Sequence, residues 1–297
     1  MQPSSDRARP GTISVAMATY DGARYLPEML DSLAAQTRLP DELVIRDDGS
    51  TDGTLAVVDD FAARAAFPVR VLPAGERLGY AQNFVTVSRS CAGDLLFFAD
   101  QDDVWHADKL ETVERAAPLG EAAAIFHDFS LQAGDGSPLE PSFFGVLAER
   151  GYRPSLAMKG CTIAVTRAFI DTWDWPPPMS RVSHDFWVAL LSTAFGQRRI
   201  LSEVLIDHRL HESNTSGWIP DPESRCFTTP GDGSSDVDVL VDLVVRRRRL
   251  RAMTRALLDV VRERGESVDP AAAQALRRSL RVNRRRYREA ADPVRPG

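Results

Sequence analysis

Lysine is nearly absent from this chain of 297 residues, because 34 of its 36 basic residues are arginine and only Lys109 and Lys159 are lysine. The three cysteines, Cys91, Cys161 and Cys226, are isolated and form no C-x-x-C pair, which disfavours a disulfide framework or a structural zinc site. The chain also lacks an apolar run of about 18 residues and an apolar stretch near Met1, so neither a membrane span nor a signal peptide is expected. We therefore expect a soluble, cytoplasmic protein.

The sequence has neither of the two common glycine motifs for nucleotide phosphates. No G-x-G-x-x-G follows the first predicted strand, and no G-x-x-x-x-G-K-[ST] occurs anywhere. A dinucleotide-binding Rossmann domain and a P-loop domain are therefore disfavoured.

The net charge of −6 is unevenly distributed along the chain. Residues 236–297 contain 16 arginines and nine acidic residues, whereas the first 235 residues contain 20 basic and 33 acidic ones. Because an acidic body repels phosphates, no nucleic-acid partner is expected, although binding of anions or nucleic acid through the arginine-rich tail remains an alternative function. The basic tail could also contact anionic lipid at the inner face of a membrane, an acidic acceptor or a second copy of the chain.

Short apolar runs alternate with helical patterns in the first hundred residues. Strands are predicted at residues 13–18, 43–45, 69–72 and 95–99, with helices between them, and further strands are predicted at residues 122–126, 160–165 and 200–206. Such alternation indicates an α/β fold with a parallel sheet, whose ligand crevice lies at the carboxyl ends of the strands. We predict a domain over residues 11–218, a linker over 219–236 and an arginine-rich helical hairpin over 237–297.

An acidic cluster follows the fourth predicted strand, in the stretch Asp100-Gln101-Asp102-Asp103-Val104-Trp105. Carboxylates at positions i and i+2 can converge on one hard cation and supply oxygen ligands to Mg²⁺ or Mn²⁺. The alternative is an acidic turn that caps the next helix, and Asp103 fits either role.

A second acidic loop, residues 47–53, follows the second predicted strand. Its spacing of oxygen-bearing side chains partly matches a calcium loop, but an EF-hand needs a helix in front, where the β-branched residues indicate a strand. Caps for the next helix are present in Ser50, Thr51 and Asp52. This loop is therefore expected to bind a ligand through Asp47 or Asp48.

Taken together, the motifs over residues 12–218 resemble those of the family 2 glycosyltransferases, and in particular the rhamnosyltransferase-like enzymes of polysaccharide assembly. Five motifs occur in the family's order: residues 18–22 with 47–54, Gly79-x-x-x-Asn83-Phe84, residues 100–105, residues 184–187, and Arg209-x-His211 with residues 214–217.

The resemblance implies a GT-A fold, which is Rossmann-like with a mostly parallel central sheet, followed here by helices. It implies inverting, metal-dependent transfer from a nucleotide-diphospho-sugar, most readily a UDP- or dTDP-sugar. The acceptor would be a hydroxyl of a glycan, a lipid-linked saccharide or a natural product. The chain lacks the Gln-x-x-Arg-Trp motif of processive synthases, which favours transfer of a single sugar. A nucleotidyltransferase or a non-catalytic sugar-nucleotide-binding protein of the same fold is the alternative.

The resemblance also implies roles for individual residues. Asp102 and His211 would hold Mg²⁺ or Mn²⁺, and Asp185 would be the catalytic base. The donor-binding residues would be Thr19, Tyr20, Asp48, Arg77, Gly79, Asn83, Asp100 and Gln101. Within this set Arg77 replaces the usual asparagine and could face the diphosphate. Acceptor-side or less certain positions are Asp103, Trp105, Cys161, Thr162, His184 and Asn214. His208 is interpreted as a solvated loop residue.

Overall fold

The computed structural model describes residues 11–149, 153, 159–173, 183–212, 214 and 258–291, with the backbone alone for 283–291. Its strands are β1 (Ile13–Thr19), β2 (Glu42–Asp47), β3 (Val69–Val71), β4 (Leu95–Ala99), β5 (Val104–Trp105), β6 (Ala124–Ala133), β7 (Pro138–Glu140), β8 (Ile163–Thr166) and β9 (Arg198–Leu210). Its helices are α1 (Leu26–Ala34), α2 (Thr54–Ala62), α3 (Tyr80–Arg89), α4 (Lys109–Ala116), α5 (Phe143–Glu149), α6 (Arg167–Trp173), α7 (His184–Ala194), α8 (Glu266–Val268) and α9 (Pro270–Ala291).

One sheet runs through the described chain in the order β3-β2-β1-β4-β8-β6-β9-β5, and β7 pairs with β6. The first four strands are parallel, as the alternation of strands and helices predicted. Beyond β4 the pairings are antiparallel, except that β6 and β9 are parallel. This change of direction places the end of β9 beside the loop that follows β4.

The helices cover both faces of the sheet with apolar side chains. On one face, α1 buries Leu26, Met29, Leu30 and Leu33, which recur at helical spacing and pack against β1, β2 and β4. On the other face, Phe84 of α3 and Trp187 of α7 join a second apolar cluster. Because β4 is buried along its whole length, the polar residues that follow it are held at the edge of a rigid core.

Three predicted element boundaries need correction. The strand predicted at residues 160–165 begins only at Ile163, because Gly160–Thr162 forms a 3₁₀ turn. The strand predicted at 122–126 extends as β6 to Ala133, and the one at 200–206 extends as β9 to Leu210. Both extensions arise from the long β6–β9 pairing, which short local patterns do not reveal.

The predicted linker and most of the first tail helix lie outside the described residues. The second tail helix, α9, packs on the core through Ala273, Leu276 and Leu280, which are nearly fully buried in one cluster with Phe195 just after α7. Among the described helices none has the length and apolar character needed to cross a membrane.

Truncation of Leu276 tests whether α9 packs on α7 in solution. Leu276 is 1% exposed, so Leu276→Ala should lower the free energy of unfolding by about 2–5 kcal/mol in denaturant titrations. Val282 on the same helix is 45% exposed, and Val282→Ala should change it by less than about 0.5 kcal/mol. Equally small effects of the two substitutions would contradict this packing.

Candidate active site

Three carboxylates converge where β4 ends. Asp100, Asp102 and Asp103 each offer an oxygen, and the three oxygens lie within 4.8 Å of one another. Burial, together with the negative charges of Asp103 and Asp102, raises the pKa of Asp100 to about 7. Such a cluster of hard oxygen ligands fits a divalent cation such as Mg²⁺ or Mn²⁺, whose charge would relieve this repulsion.

The turn after β9 brings basic groups to this acidic loop. The Nε2 atom of His211 lies 2.8 Å from Oδ2 of Asp102, so two residues far apart in the sequence point to the same place. The His211 ring stacks on Tyr25, with 4.6 Å between ring centroids. Asn214 accepts a hydrogen bond from the His211 backbone N–H at 2.6 Å and donates one to the Arg209 carbonyl at 3.1 Å. Asn214 therefore holds the turn that carries His211.

Asp103 faces the interior and is paired with His208. Its side chain is fully buried, and the Nδ1 atom of His208 lies 2.7 Å from its Oδ1. The expectation that His208 is a solvated loop residue is wrong, since His208 is 4% exposed and lies in β9. The antiparallel register pairs Val104 with Asp207, and one further step places His208 opposite Asp103.

A buried lysine packs beneath the acidic cluster. Lys109 donates a hydrogen bond from Nζ to the Cys161 carbonyl at 2.8 Å and lies 3.6 Å from the centre of the Trp105 ring. Burial lowers its pKa to about 7. Thr162 closes the adjacent turn by donating its hydroxyl hydrogen to the Lys159 carbonyl at 2.8 Å. The structure therefore places Trp105, Cys161 and Thr162 beneath the acidic cluster.

Asp48 fixes the loop before α3. Its Oδ1 accepts hydrogen bonds from the Leu78 backbone N–H at 2.7 Å and from Arg46 at 2.9 Å, and its Oδ2 accepts one from the Gly79 N–H at 2.8 Å. Gly79 has φ of 75°, a conformation that favours glycine. Asn83 is buried and accepts a hydrogen bond from Arg46 at 2.8 Å, so it supports this loop from behind.

A second predicted donor cluster lies between the ends of β1 and β4. Gln101 pairs with both backbone groups of Tyr20, accepting from its N–H and donating to its carbonyl, each at 2.9 Å. The guanidinium of Arg77 lies 3.8 Å from the centre of the Tyr20 ring. Thr19 is buried and donates its hydroxyl hydrogen to Asp47 at 2.7 Å. In this cluster the side chains of Tyr20 and Arg77 are exposed to solvent.

Asp185 lies in the first turn of α7. Its Oδ1 accepts a hydrogen bond from the Phe186 backbone N–H at 2.7 Å, and its side chain is half-buried. The preceding His184 lies between Phe84 and Phe98, with ring centroids 4.4 and 4.6 Å away. Burial lowers the pKa of His184 to about 4, so this imidazole is neutral at physiological pH. The His184 contacts therefore join the start of α7 to α3 and to the end of β4.

Comparison with known proteins relates this arrangement to glycosyltransferases. The family model for glycosyl transferase family 2 matches residues 14–142. An uncharacterized glycosyltransferase of Nostoc sp. is 26% identical over 218 residues, which span 68% of this chain and 66% of the relative. The dTDP-rhamnosyl transferase RfbG of Shigella flexneri is 33% identical over 99 residues, which span 32% of this chain and 34% of that protein.

Solved structures share the fold. Staphylococcus aureus TarS 1–349 in complex with UDP-GlcNAc has a TM-score of 0.56 at 18% identity, covering 96% of this chain and 93% of that one. The mannosyltransferase PcManGT of Pyrobaculum calidifontis, in complex with GDP-Man and Mn²⁺, has a TM-score of 0.53 at 17% identity, covering 97% and 77%. The predicted GT-A fold is therefore confirmed, and the match of residues 14–142 to glycosyl transferase family 2 supports a glycosyltransferase.

Proposed function

We propose that this glycosyltransferase transfers a single sugar from a nucleotide-diphospho-sugar to an acceptor hydroxyl, with inversion at the anomeric carbon and in a metal-dependent way. The observation that carries the proposal is the convergence of Asp102 and His211 from two distant segments, within a cluster that also contains Asp100. Mg²⁺ or Mn²⁺ held by these groups would act as a Lewis acid toward the leaving diphosphate.

The residues around the cluster then take separate roles in the proposal. Tyr20 and Arg77 lie at the mouth of the donor crevice, where the aromatic ring suits a nucleobase and the guanidinium suits a phosphate. Asp48 acts through the loop that it holds, because both of its oxygens already accept backbone hydrogen bonds. Gln101 keeps Tyr20 in place through its two backbone contacts.

Asp185 is the group that takes the proton from the acceptor hydroxyl in this proposal. Its half-buried carboxylate holds only one backbone hydrogen bond among the described contacts, so it keeps lone pairs for an incoming hydroxyl. A single displacement assisted by one base inverts the anomeric centre. The acceptor would be a hydroxyl of a glycan, a lipid-linked saccharide or a natural product.

The donor is proposed from the relatives and neighbours. Their names mention UDP-GlcNAc, GDP-Man and a dTDP-rhamnosyl group, so these three nucleotide classes are the natural donors to screen. The UDP and dTDP classes are favoured for this chain by its resemblance to rhamnosyltransferase-like enzymes.

Removal of the Asp102 charge tests the metal site. Asp102→Asn should weaken binding of Mn²⁺ by at least about 100-fold, the upper end of what losing an outer-sphere partner costs, when free Mn²⁺ is followed by electron paramagnetic resonance. Asp59→Asn makes the same charge change on an exposed face of α2 and should leave binding unchanged. Equal Mn²⁺ affinities of Asp102→Asn and the wild-type protein would refute the assignment.

Replacement of Asp185 separates chemistry from binding. Asp185→Asn keeps the side-chain shape and should retain donor affinity within about threefold, while turnover of the accepted donor falls about 10²–10⁴-fold because general-base assistance is lost. Asp171→Asn, at an exposed position of α6, is the matched control and should keep full turnover. If Asp185→Asn retains more than about a tenth of the wild-type rate, another group is the base.

A further inference from the structure

Tyr25 lies outside the sequence motifs, yet its ring packs against a residue of the candidate metal site. The rings of Tyr25 and His211 are stacked, with 4.6 Å between their centroids and 27° between their planes. Tyr25 directly precedes α1, and the next residue, Leu26, is fully buried in the core. His211 lies just beyond the end of β9. The stack therefore joins the turn that carries His211 to a helix that is anchored in the core.

Arg209 packs against the same ring. Side chains two positions apart along an extended segment point to the same side, as those of Arg209 and His211 do here. The guanidinium carbon of Arg209 lies 5.0 Å from the centre of the Tyr25 ring. Arg209 also donates a hydrogen bond from Nε to the Asp102 backbone carbonyl at 3.2 Å, while Nε2 of His211 lies 2.8 Å from the Asp102 carboxylate. Tyr25 therefore packs against two residues that contact Asp102.

A third segment, the turn between β6 and β7, packs against the stacked pair. A Cβ atom at Gly134 would lie 3.3 Å from Oη of Tyr25 and 3.5 Å from Cβ of His211. The shorter distance is tighter than most contacts of a Cβ atom in proteins, so the backbone at Gly134 leaves the Tyr25 ring little room to move toward it. The pair is therefore held between segments that are distant in the sequence.

Tyr25 is not a core residue of α1. The apolar contacts of this helix are made by its fully buried residues, whereas the Tyr25 side chain is only half-buried. The described ring contacts of Tyr25 are with Arg24, Arg209 and His211. The ring therefore serves the polar groups beside the acidic loop more than the apolar core.

The support of His211 is divided between its backbone and its ring. Asn214 accepts a hydrogen bond from the His211 backbone N–H and so holds the turn. The Tyr25 ring lies against the face of the imidazole and limits rotation of the imidazole about its bond to Cβ. The plane of the imidazole decides where the lone pair of a ring nitrogen points, and a metal ligand must keep its direction within about 10–20°. An aromatic partner at this face meets that requirement.

We propose that Tyr25 is a positioning residue of the metal site: its ring fixes the plane of the His211 imidazole, so that His211 and Asp102 present their ligand atoms to one cation. The inference rests on the metal roles proposed for Asp102 and His211. Tyr25 acts through the face of its ring, so an aromatic ring without the hydroxyl is sufficient at this position.

The stack is observable without metal or substrate. In ¹H–¹³C spectra at about pH 9, where histidine is ordinarily neutral, the Tyr25 ring current should move at least one carbon-bound ring proton of His211 upfield. Tyr25→Leu keeps an apolar side chain but removes the ring, so this proton should move downfield. Tyr25→Phe should keep the wild-type position. Identical His211 signals in Tyr25→Leu and the wild-type protein would overturn the proposal.

Binding of Mn²⁺ alone tests the consequence for the site. Tyr25→Leu should raise the Kd of Mn²⁺ about tenfold, the lower end of what losing an outer-sphere partner costs. Tyr25→Phe should keep the Kd within about twofold of the wild-type value, because an aromatic ring still stacks on His211. Tyr80→Leu makes the same change at an exposed position at the start of α3, and this matched control should leave the Kd unchanged.

A His211→Ala background separates positioning from general packing. This variant has no imidazole to orient, so adding Tyr25→Leu to it should change the Kd of Mn²⁺ by less than about twofold. Equal effects of Tyr25→Leu in the wild-type and His211→Ala backgrounds would overturn the role of Tyr25 through His211.

The Mn²⁺ measurements also separate this inference from the proposed function. Wild-type binding that Tyr25→Leu leaves within about twofold would overturn the role of Tyr25 and leave the metal site intact. Absence of Mn²⁺ binding in the wild-type protein would instead refute the metal site itself, and with it any positioning role of Tyr25.

Discussion

The central physical constraint of this structure is the close placement of three carboxylates at the buried end of β4. Burial and the negative charges of Asp103 and Asp102, whose oxygens lie within 4.8 Å of that of Asp100, raise the pKa of Asp100. The fold compensates the other two acids from different directions. His211 faces Asp102 from the turn after β9, and His208 faces Asp103 from within β9. What remains is a site in which one more positive charge is favourable.

The sheet topology makes this compensation possible. In a purely parallel sheet the carboxyl ends of all strands lie at the same edge. Here β9 instead runs antiparallel to the short strand β5, which follows the acidic loop. The register of that pair sets His208 opposite Asp103. The parallel pairing of β6 with β9 anchors the long strand in the core. Distances at the site are therefore fixed by backbone pairing, which is more rigid than a loop.

The loop before α3 and the start of α7 are supported in different ways. The loop before α3 is held by hydrogen bonds between its backbone and the side chains of Asp48 and Arg46. The start of α7 is held by apolar contact of His184 with Phe84 and Phe98. Helix α9 packs on the same apolar cluster and extends this support to the arginine-rich tail.

The sequence predicted the parts of this arrangement that depend on local pattern. Polar clusters directly after apolar runs located Asp48 and Asp102 at strand ends, and the motif order grouped His211 with Asp102, which lie 2.8 Å apart. It did not predict the buried position of His208, because this depends on the register between strands about a hundred residues apart. The burial of Asn83 was not predicted either. This residue belongs to a family motif, yet it is buried behind the loop that it supports.

The central claim, that the acidic cluster serves sugar transfer, is tested most directly by the phosphorus products. UDP-GlcNAc, GDP-mannose and dTDP-rhamnose would each be incubated with the protein, Mn²⁺ and added pyrophosphate, and followed by ³¹P NMR. The account predicts that an accepted donor yields the two signals of a free nucleoside diphosphate while the pyrophosphate is unchanged. Formation of a nucleoside triphosphate and a sugar 1-phosphate would contradict it, because that reaction cleaves the diphosphate instead of the glycosidic bond.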